Sequence, residues 1–437
     1  MLVFVKRRKK KANLLKSPIL ARIRPTRLKM KAKRTSYFIP FKKEVKLNDA
    51  DGNSAIVRML KGGFVSKHAS GLYTWFNLGL RMLEKISRII EEEHEKIGAV
   101  KILMPILQDA QLWKDSNRYE PYGDEMLKIF DRKKREFVYG PSAEEMCTSL
   151  LTQWSLNKNS FPMILYNIQW KFRDEIRPRF GVVRSREFLM KDAYSFNKTT
   201  ECLMNTYEKM FNAYSKIFAR LGLDVCTFSS DVGLMGGYLS HEFLVKSEFG
   251  ETLINYDKWP KQPIEWQERD NATLDESEYN EATHESKEKY AEIGHIYALG
   301  RRYTECFNLL SPETKEPLEM GCFGIGVSRL VGVIFENGIH DLGIVAPFKY
   351  TVVTLQNDEQ CINIGRKIFE SVDEVLWDDR DDISIGVKFA EAELVGSPIQ
   401  IYIGKKDLEN GEITIKQKGQ KMQLPLSQLD KFLAENK

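Results

Sequence analysis

Between residues 80 and 97 apolar positions recur at Leu80, Leu83, Ile86, Ile90 and Ile97, while Glu84, Lys85, Glu91, Glu92 and Lys96 fall largely elsewhere. That spacing predicts a helix with one buried face, stopped at Gly98. The apolar stretch 99–104 reads as a strand closed by Pro105, which has no ladder donor and suits a sheet edge or strand end. Residues 165–172 and 187–196 read as two strands of a hairpin whose long connection holds Pro178 and Gly181. Past Pro347 the pattern alternates: strand 350–355, helix 361–372, strand 375–377, helix 388–395, strand 399–403. Such alternation predicts a compact α/β domain with some parallel strands, beginning near Val345. Residues 257–292 are polar, acid-rich and without apolar periodicity, and read as a surface excursion or small subdomain.

Composition adds scale to this outline. A chain of 437 residues, 42% hydrophobic and 29% charged, has material for at least two packed domains and no mark of a disordered or fibrous protein. No apolar run approaches the ~18–20 residues of a membrane span, and residues 1–5 are too few for a signal-peptide core, so neither membrane insertion nor secretion is expected. The six cysteines, Cys147, Cys202, Cys226, Cys306, Cys322 and Cys361, form no CxxC pair, which argues against a zinc ribbon or disulfide framework and fits a reducing compartment.

The net charge of +5 is unevenly spread, with fourteen Lys or Arg residues between Lys6 and Arg34 and the first acidic residue at Glu44. Residues 1–29 read as a basic arm drawn to nucleic acid or anionic membrane, as an organelle-targeting segment, or as residues prepended to a protein that begins at Met30. The expected location is cytoplasmic, or the mitochondrial matrix if the arm is a targeting segment.

The hairpin connection carries candidate chemistry. Arg173, Arg177, Arg179, Arg184 and Arg186 fall within fourteen residues, and guanidinium forks match phosphate oxygens two at a time. Alone, such a run is also what a solvated charged face looks like, with Asp174, Glu175 and Glu187 as partners. A second segment, Gly321-Cys-Phe-Gly-Ile-Gly-Val-Ser-Arg329, is followed by an apolar, helix-like stretch. Its glycines permit close backbone approach, and Arg329 would sit at a helix start that also favours an anion. It is not the dinucleotide fingerprint, since Arg329 replaces the third glycine.

The helix-strand-Pro unit, the arginine hairpin and the glycine-arginine helix, in this order, resemble the three signature motifs of class II aminoacyl-tRNA synthetases. The words Gly71-Leu-Tyr-Thr-Trp75, Phe172-Arg-Asp-Glu-Ile-Arg-Pro-Arg-Phe-Gly181, Arg186-Glu-Phe-Leu-Met-Lys-Asp-Ala-Tyr-Ser-Phe196 and Ser240-His-Glu-Phe243 resemble those of the bacterial-type prolyl enzymes, from about Met30 to the C-terminus. The resemblance implies an α+β catalytic domain over residues 30–345, an antiparallel sheet of six or seven strands flanked by helices. An α/β anticodon-binding domain follows over 346–437, in a homodimer whose interface includes the 80–105 unit.

The implied activity is ATP-dependent activation of L-proline and its transfer to proline tRNA, with Mg2+ on the phosphates through ligands the sequence does not assign. Arg173 would hold the α-phosphate and the amino-acid carboxylate, Glu175 would accept from the adenine amino group, and Phe188 and Arg329 would sandwich the ring. Arg329 would also reach the γ-phosphate, with Arg184, Gly324 and Gly326 completing the ATP site. For proline the family uses a Thr-x-Glu loop; here the word is Gly140-Pro-Ser-Ala-Glu144, so Ser142 keeps the hydroxyl and Glu144 pairs with the ammonium. His241, Glu242 and His295 would line or brace that pocket, or serve as buried structural residues, and Cys322 would be a small wall residue. In the C-terminal domain Arg380 and Lys388 are candidates for the anticodon, or else surface charges.

Two rivals stand beside this reading. Another class II specificity, such as threonine, glycine or histidine, conflicts with the motif-2 wording. A catalytically inactive synthetase-like nucleic-acid-binding or regulatory protein would be expected to lose the ATP arginines, whereas Arg173 and Arg329 both remain. About 125 residues separate Phe196 from Gly321, too few for the editing domain that many bacterial relatives insert there, so clearance of alanyl-tRNA would fall to a separate deacylase.

Overall fold

A computed structural model describes residues 30–45, 54–255, 287–338 and 341–436. The basic arm 1–29 and residues 257–286 of the polar excursion lie outside them. The larger unit is built on an eight-stranded sheet that runs, edge to edge, Val225–Ser229, Leu239–Lys246, Lys287–Gly300, Glu319–Gly326, Glu187–Asn197, Met163–Phe172 and Val100–Lys101. Thr252–Asn255 adds to the start of the long strand Lys287–Gly300. Every pairing is antiparallel except the last, where Val100–Lys101 lies parallel to Leu165 and Tyr166.

The helix Thr200–Arg220 covers one face of this sheet. The Thr199 hydroxyl accepts the Cys202 amide at 3.1 Å and caps its start. Leu203, Tyr207, Met210, Phe211, Tyr214, Ile217 and Phe218 recur at the three- and four-residue spacing that aligns one side of a helix, and all are buried. Each such side chain contributes roughly 1.5–3 kcal/mol through removal from water. The helices Asn77–Lys96 and Val327–Asn337 extend the same core. The opposite face stays open and floors a cleft.

Two expectations change. The strand predicted at 99–104 shrinks to Val100–Lys101: the Ile102 amide still reaches Tyr166 O at 2.8 Å, but the chain then leaves the sheet and Leu103 is 79% exposed. The end of the polar excursion is the opening of a central strand, Lys287–Gly300. Its composition hides it, because Glu292 and His295 point into a polar cleft rather than a core.

The C-terminal sheet runs Lys31–Lys33, Val375–Asp378, Tyr350–Thr354, Ile399–Ile403, Glu412–Gln417 and Gln420–Pro425; the first four are parallel and the last two form an antiparallel hairpin. Helices Glu359–Ser371 and Ile385–Val395 connect the parallel strands. The sequence assigned residues from Met30 onward to the catalytic unit, yet Lys31–Lys33 instead form the edge strand of this second sheet. Three residues carry too little periodicity for the pairing to be read from the chain. The link is reinforced by Thr35, whose amide and hydroxyl donate to Asp379 at 3.0 and 2.8 Å, and by Lys85, which donates to Ala346 O and Glu374, each at 2.7 Å. Among the described residues no helix is long and apolar enough to cross a membrane.

Ala32 is the buried member of the N-terminal strand. Ala32→Asp, which buries an unpaired carboxylate, is expected to lower unfolding stability by about 2 kcal/mol or more. Chemical denaturation followed by circular dichroism checks this, and a loss below about 0.5 kcal/mol, the scale of an ordinary surface substitution, would mean that the strand is dispensable.

Candidate active site

Side chains along a strand alternate between faces. On the cleft side this brings forward Phe188, Met190 and Asp192 from one strand, Cys322, Gly324 and Gly326 from its neighbour, and His295 and Tyr297 from the next. The register sets Gly324 directly between Asp192 and His295. The resulting cleft has a volume of about 790 Å³.

At one end lie the arginines. The connection after Phe172 is closed by a bridge between Arg179 and Arg184, and it is propped from below by Gly71, whose carbonyl accepts the Arg186 amide at 2.9 Å. Gly71 has φ of +72°, and a Cβ there would lie 2.9 Å from that same amide, so the prop requires glycine. The five arginines divide by role. Arg184 is held by Glu175 at 2.7 Å and by Glu251, Arg179 by Glu251 at 2.6 Å and Arg186 by Asp174 at 3.1 Å. The pairing that the sequence weighed against a phosphate role therefore exists for three of them.

Arg173 differs. It enters the cleft 5.4 Å over the Phe188 ring, its Nη2 donates to Pro141 O at 3.4 Å, and its Nε has no hydrogen-bond partner among the described residues. Arg329 enters from the helix Val327–Asn337 and donates to Val183 O at 3.0 Å and Glu292 O at 2.6 Å. Between them stands Glu292. Burial pushes its carboxyl up, but the hydrogen bond from His295 and the charges of His295, Arg329 and Arg173 outweigh this and bring it down to about 2. The His295 ring stacks on Tyr297 at 4.0 Å and reaches Ser230 Oγ at 3.0 Å through Nε2. Glu242 shares this corner, 3.8 Å from His295.

At the other end Ser142 and Glu144 meet Cys322. Glu144 is fully buried and accepts from the Ser142 hydroxyl, from Cys322 Sγ at 3.0 Å and from Arg118 at 3.0 Å. Burial beside Glu144 drives the Cys322 thiol well up, so it remains a neutral donor and wall residue, not a nucleophile. The loop is fixed from below: Ala143 donates its amide to Tyr194 OH at 2.9 Å, and Tyr194 donates to Asp192 at 2.6 Å. Asp192 is in turn paired with Lys171 at 3.2 Å and Asn167 at 2.8 Å.

One residue predicted for the cleft lies behind it, and the two candidates for the anticodon are engaged within their own domain. His241 faces away from the cleft, because it alternates with Glu242; its Nδ1 meets Tyr207 OH at 2.8 Å and its ring packs on Phe211. In the C-terminal domain Lys388 is buried, with its ammonium on Thr354 O at 2.6 Å and on Arg380 O. Arg380 is clamped by Asp378 and Glu391, each at 2.7 Å. Both brace the end of the strand Val375–Asp378 rather than offer open donors. Conversely, sequence reasoning missed Arg118, Glu145, Asp192 and Glu292. Glu145 carried a signal as the neighbour of Glu144, and Asp192 as a member of the word Arg186–Phe196; Arg118 and Glu292 carried none.

An antiparallel sheet flooring an arginine-lined cleft, with a separate α/β domain, defines the class of protein: a class II aminoacyl-tRNA synthetase. Residues 126–338 match the tRNA synthetase class II core domain (G, H, P, S and T), and residues 349–436 match the anticodon binding domain. Over 418 residues the chain is 41% identical to the proline–tRNA ligase of Ehrlichia ruminantium (strain Gardel), covering 90% of this chain and 97% of that protein. It is 39% identical over 433 residues to the proline–tRNA ligase of Caulobacter sp. (strain K31), covering 90% and 96%. The chain belongs to the proline–tRNA ligase family. Its fold is shared with the prolyl-tRNA synthetase of Cryptosporidium parvum complexed with halofuginone and AMPPNP, at a TM-score of 0.69 and 16% identity over 87% of this chain and 77% of that one.

A carboxyl lowered from 4.5 to about 2 stabilises the fold fully above about pH 4.5, and that contribution is lost as the pH falls toward 2. The stability difference between the wild type and Glu292→Gln should therefore be largest above about pH 5 and should shrink by pH 3. Urea unfolding across this range checks it; a constant difference would mean that Glu292 is not held ionised.

Proposed function

We propose that this chain joins L-proline to ATP, releasing pyrophosphate and forming prolyl-adenylate, and then transfers the prolyl group to the 3′ end of proline tRNA. The observation that carries the reading is Arg173, a guanidinium inside the cleft with an unpartnered Nε, lying between the Phe188 ring and the Ser142–Glu144 loop. A half-buried guanidinium whose Nε is shielded from water and unpartnered calls for an anion to complete it. Proline's carboxylate and the α-phosphate of ATP are two that must meet at one point.

The chemistry asks for alignment rather than a protein nucleophile. A carboxylate oxygen of proline attacks the α-phosphorus, the bond to pyrophosphate breaks in line, and negative charge grows on the non-bridging oxygens. Arg173 neutralises that charge and Arg329 the leaving pyrophosphate. Phe188 offers a flat apolar face to the adenine. Arg184, held by Glu175, would have to release that carboxylate for it to accept from the adenine amino group. In the second step the terminal ribose hydroxyl attacks the adenylate carbonyl, and AMP leaves.

The donors in the cleft fit magnesium carried in with ATP. Glu292 is an ionised carboxylate beside both arginines, and magnesium commonly binds through one or two carboxylates plus phosphates and water. Glu292 would hold it, and the metal would supply further charge neutralisation on the phosphates. A homodimer is supported by the outer face of the helix Asn77–Lys96, where exposed Leu80 borders a groove lined by Leu83, Trp170 and Leu189. The anticodon of the tRNA would be read by the C-terminal sheet, and a cytoplasmic location fits the bacterial relatives.

Arg173→Ala and Arg329→Ala should each slow proline-dependent pyrophosphate exchange by about a hundredfold or more with little change in fold. Exchange within a few-fold of wild type in either variant would refute its role, and exchange driven by threonine or glycine in place of proline would overturn the specificity.

Alanine is smaller than proline and is disfavoured only through lost ring contacts, worth about 10–200-fold for each methylene. The enzyme should therefore mischarge alanine measurably and leave preformed alanyl-tRNA intact, so that its clearance needs a separate deacylase. Deacylation above the buffer rate would reveal an editing site in this chain.

A further inference from the structure

Glu144 and Glu145 are adjacent in the chain, both fully buried, and both bonded to one guanidinium. Arg118 Nη1 lies 3.0 Å from Glu144 Oε2 and 3.0 Å from Glu145 Oε1. Arg118 is itself buried, lies 4.8 Å over the Trp113 ring and donates through Nη2 to Met235 Sδ at 3.3 Å; among the described residues its Nε has no partner and these two carboxylates are its ion pairs. Glu144 borders the cleft, whereas Glu145 does not; it turns inward and accepts from the Ser116 hydroxyl at 2.8 Å. Two carboxylates on one guanidinium leave the cluster one positive charge short. In a desolvated site that shortfall is costly unless a cation completes it.

We propose that Glu145, which does not line the cleft, sets the affinity for the substrate's ammonium by competing with Glu144 for Arg118. With Glu145 present, Arg118 is shared and Glu144 keeps charge for the incoming secondary ammonium: two anions and two cations close a neutral cluster. Without the Glu145 charge, Arg118 and Glu144 already neutralise each other, and an arriving ammonium leaves a buried excess of positive charge. Burial raises the Glu145 carboxyl, whereas at Glu144 burial is outweighed by the Arg118 charge and the hydrogen bonds from Ser142 and Cys322, which hold the carboxyl low. Glu145 is thus a positioning residue: it touches no substrate and acts on the ammonium through Arg118 and Glu144.

This inference rests on proline being the substrate, and the test separates the two. Glu145→Gln keeps the volume and, through its remaining oxygen, the Ser116 hydrogen bond and the 3.0 Å Arg118 contact; it removes the charge and the second, 3.2 Å acceptor of Arg118. In pyrophosphate exchange it should raise the KM for proline about ten- to a hundredfold, the range for a hydrogen bond to a charged group. The KM for ATP should change less than about twofold and kcat only modestly, since a uniform binding loss appears in KM. Adding Arg118→Met to Glu145→Gln frees Glu144 again, so the proline KM should fall back toward wild type. A residue of purely structural importance would instead make the double variant worse than the single. A proline KM within about twofold of wild type in Glu145→Gln, or a further rise in a folded double variant, overturns the proposal; should the double variant not fold, the single variant decides. Wild-type exchange that does not depend on proline would overturn the substrate reading and this inference with it.

Discussion

The register of one antiparallel sheet is the constraint on which the cleft depends. Pairing Gly324 opposite both Asp192 and His295 puts Phe188, Met190, Cys322 and Tyr297 on the same face, and puts Lys191, Phe323, Ile296 and His241 on the other. A slip of one residue would exchange the faces, bringing the aromatic core into the cleft and the acids into the core. The helix Thr200–Arg220 enforces the choice, because its buried stripe accepts only the apolar face. Gly324 then serves the opening itself: a Cβ there would meet nothing closer than His295 O at 3.9 Å, so any side chain would rise into the cleft.

Inside that frame the cleft is organised by charges that are paired, but unequally. Lys171 and Asp192 are matched beneath the Ser142–Glu144 loop and hold it through Tyr194, a network with every member buried. Arg173 and Arg329 stand beside Glu292 at one end, with Glu242 in the same corner, while two glutamates outnumber Arg118 at the other. The cleft thus offers guanidinium groups at one end and is short of cation at the other. A zwitterionic amino acid beside a polyphosphate complements both, and burial keeps water from taking their place.

The second sheet is joined to the first by short polar contacts and by an apolar seam in which Ala32, Leu376 and Val395 pack into the main core. Lys31–Lys33 pair with Val375–Trp377 before the chain crosses to the larger unit, and Lys85 ties the helix Asn77–Lys96 to Ala346 O and Glu374. The clamped Arg380 and the buried Lys388 stiffen the same end, and Arg34, from the crossing segment, shares Glu391 with Arg380. Both would-be surface cations are consumed by this architecture.

Local pattern alone determined the amphipathic helix, the arginine hairpin and the strand-helix alternation after Pro347, because periodicity is a property of neighbouring residues, whereas Arg173, Glu144 and Arg329 were singled out through the resemblance of their motifs to a known family. Tertiary structure decided which of two adjacent residues faces the cleft, so Glu242 lies in it and His241 behind it. It also revealed the strand hidden in an acidic stretch, whose polar side chains are invisible to a search for buried alternation. Above all it brought Arg118 to Glu144 and Glu145 across twenty-six and twenty-seven positions of chain. No local signal marks such a partner, because a buried ion pair is specified by where folding leaves two charges without water.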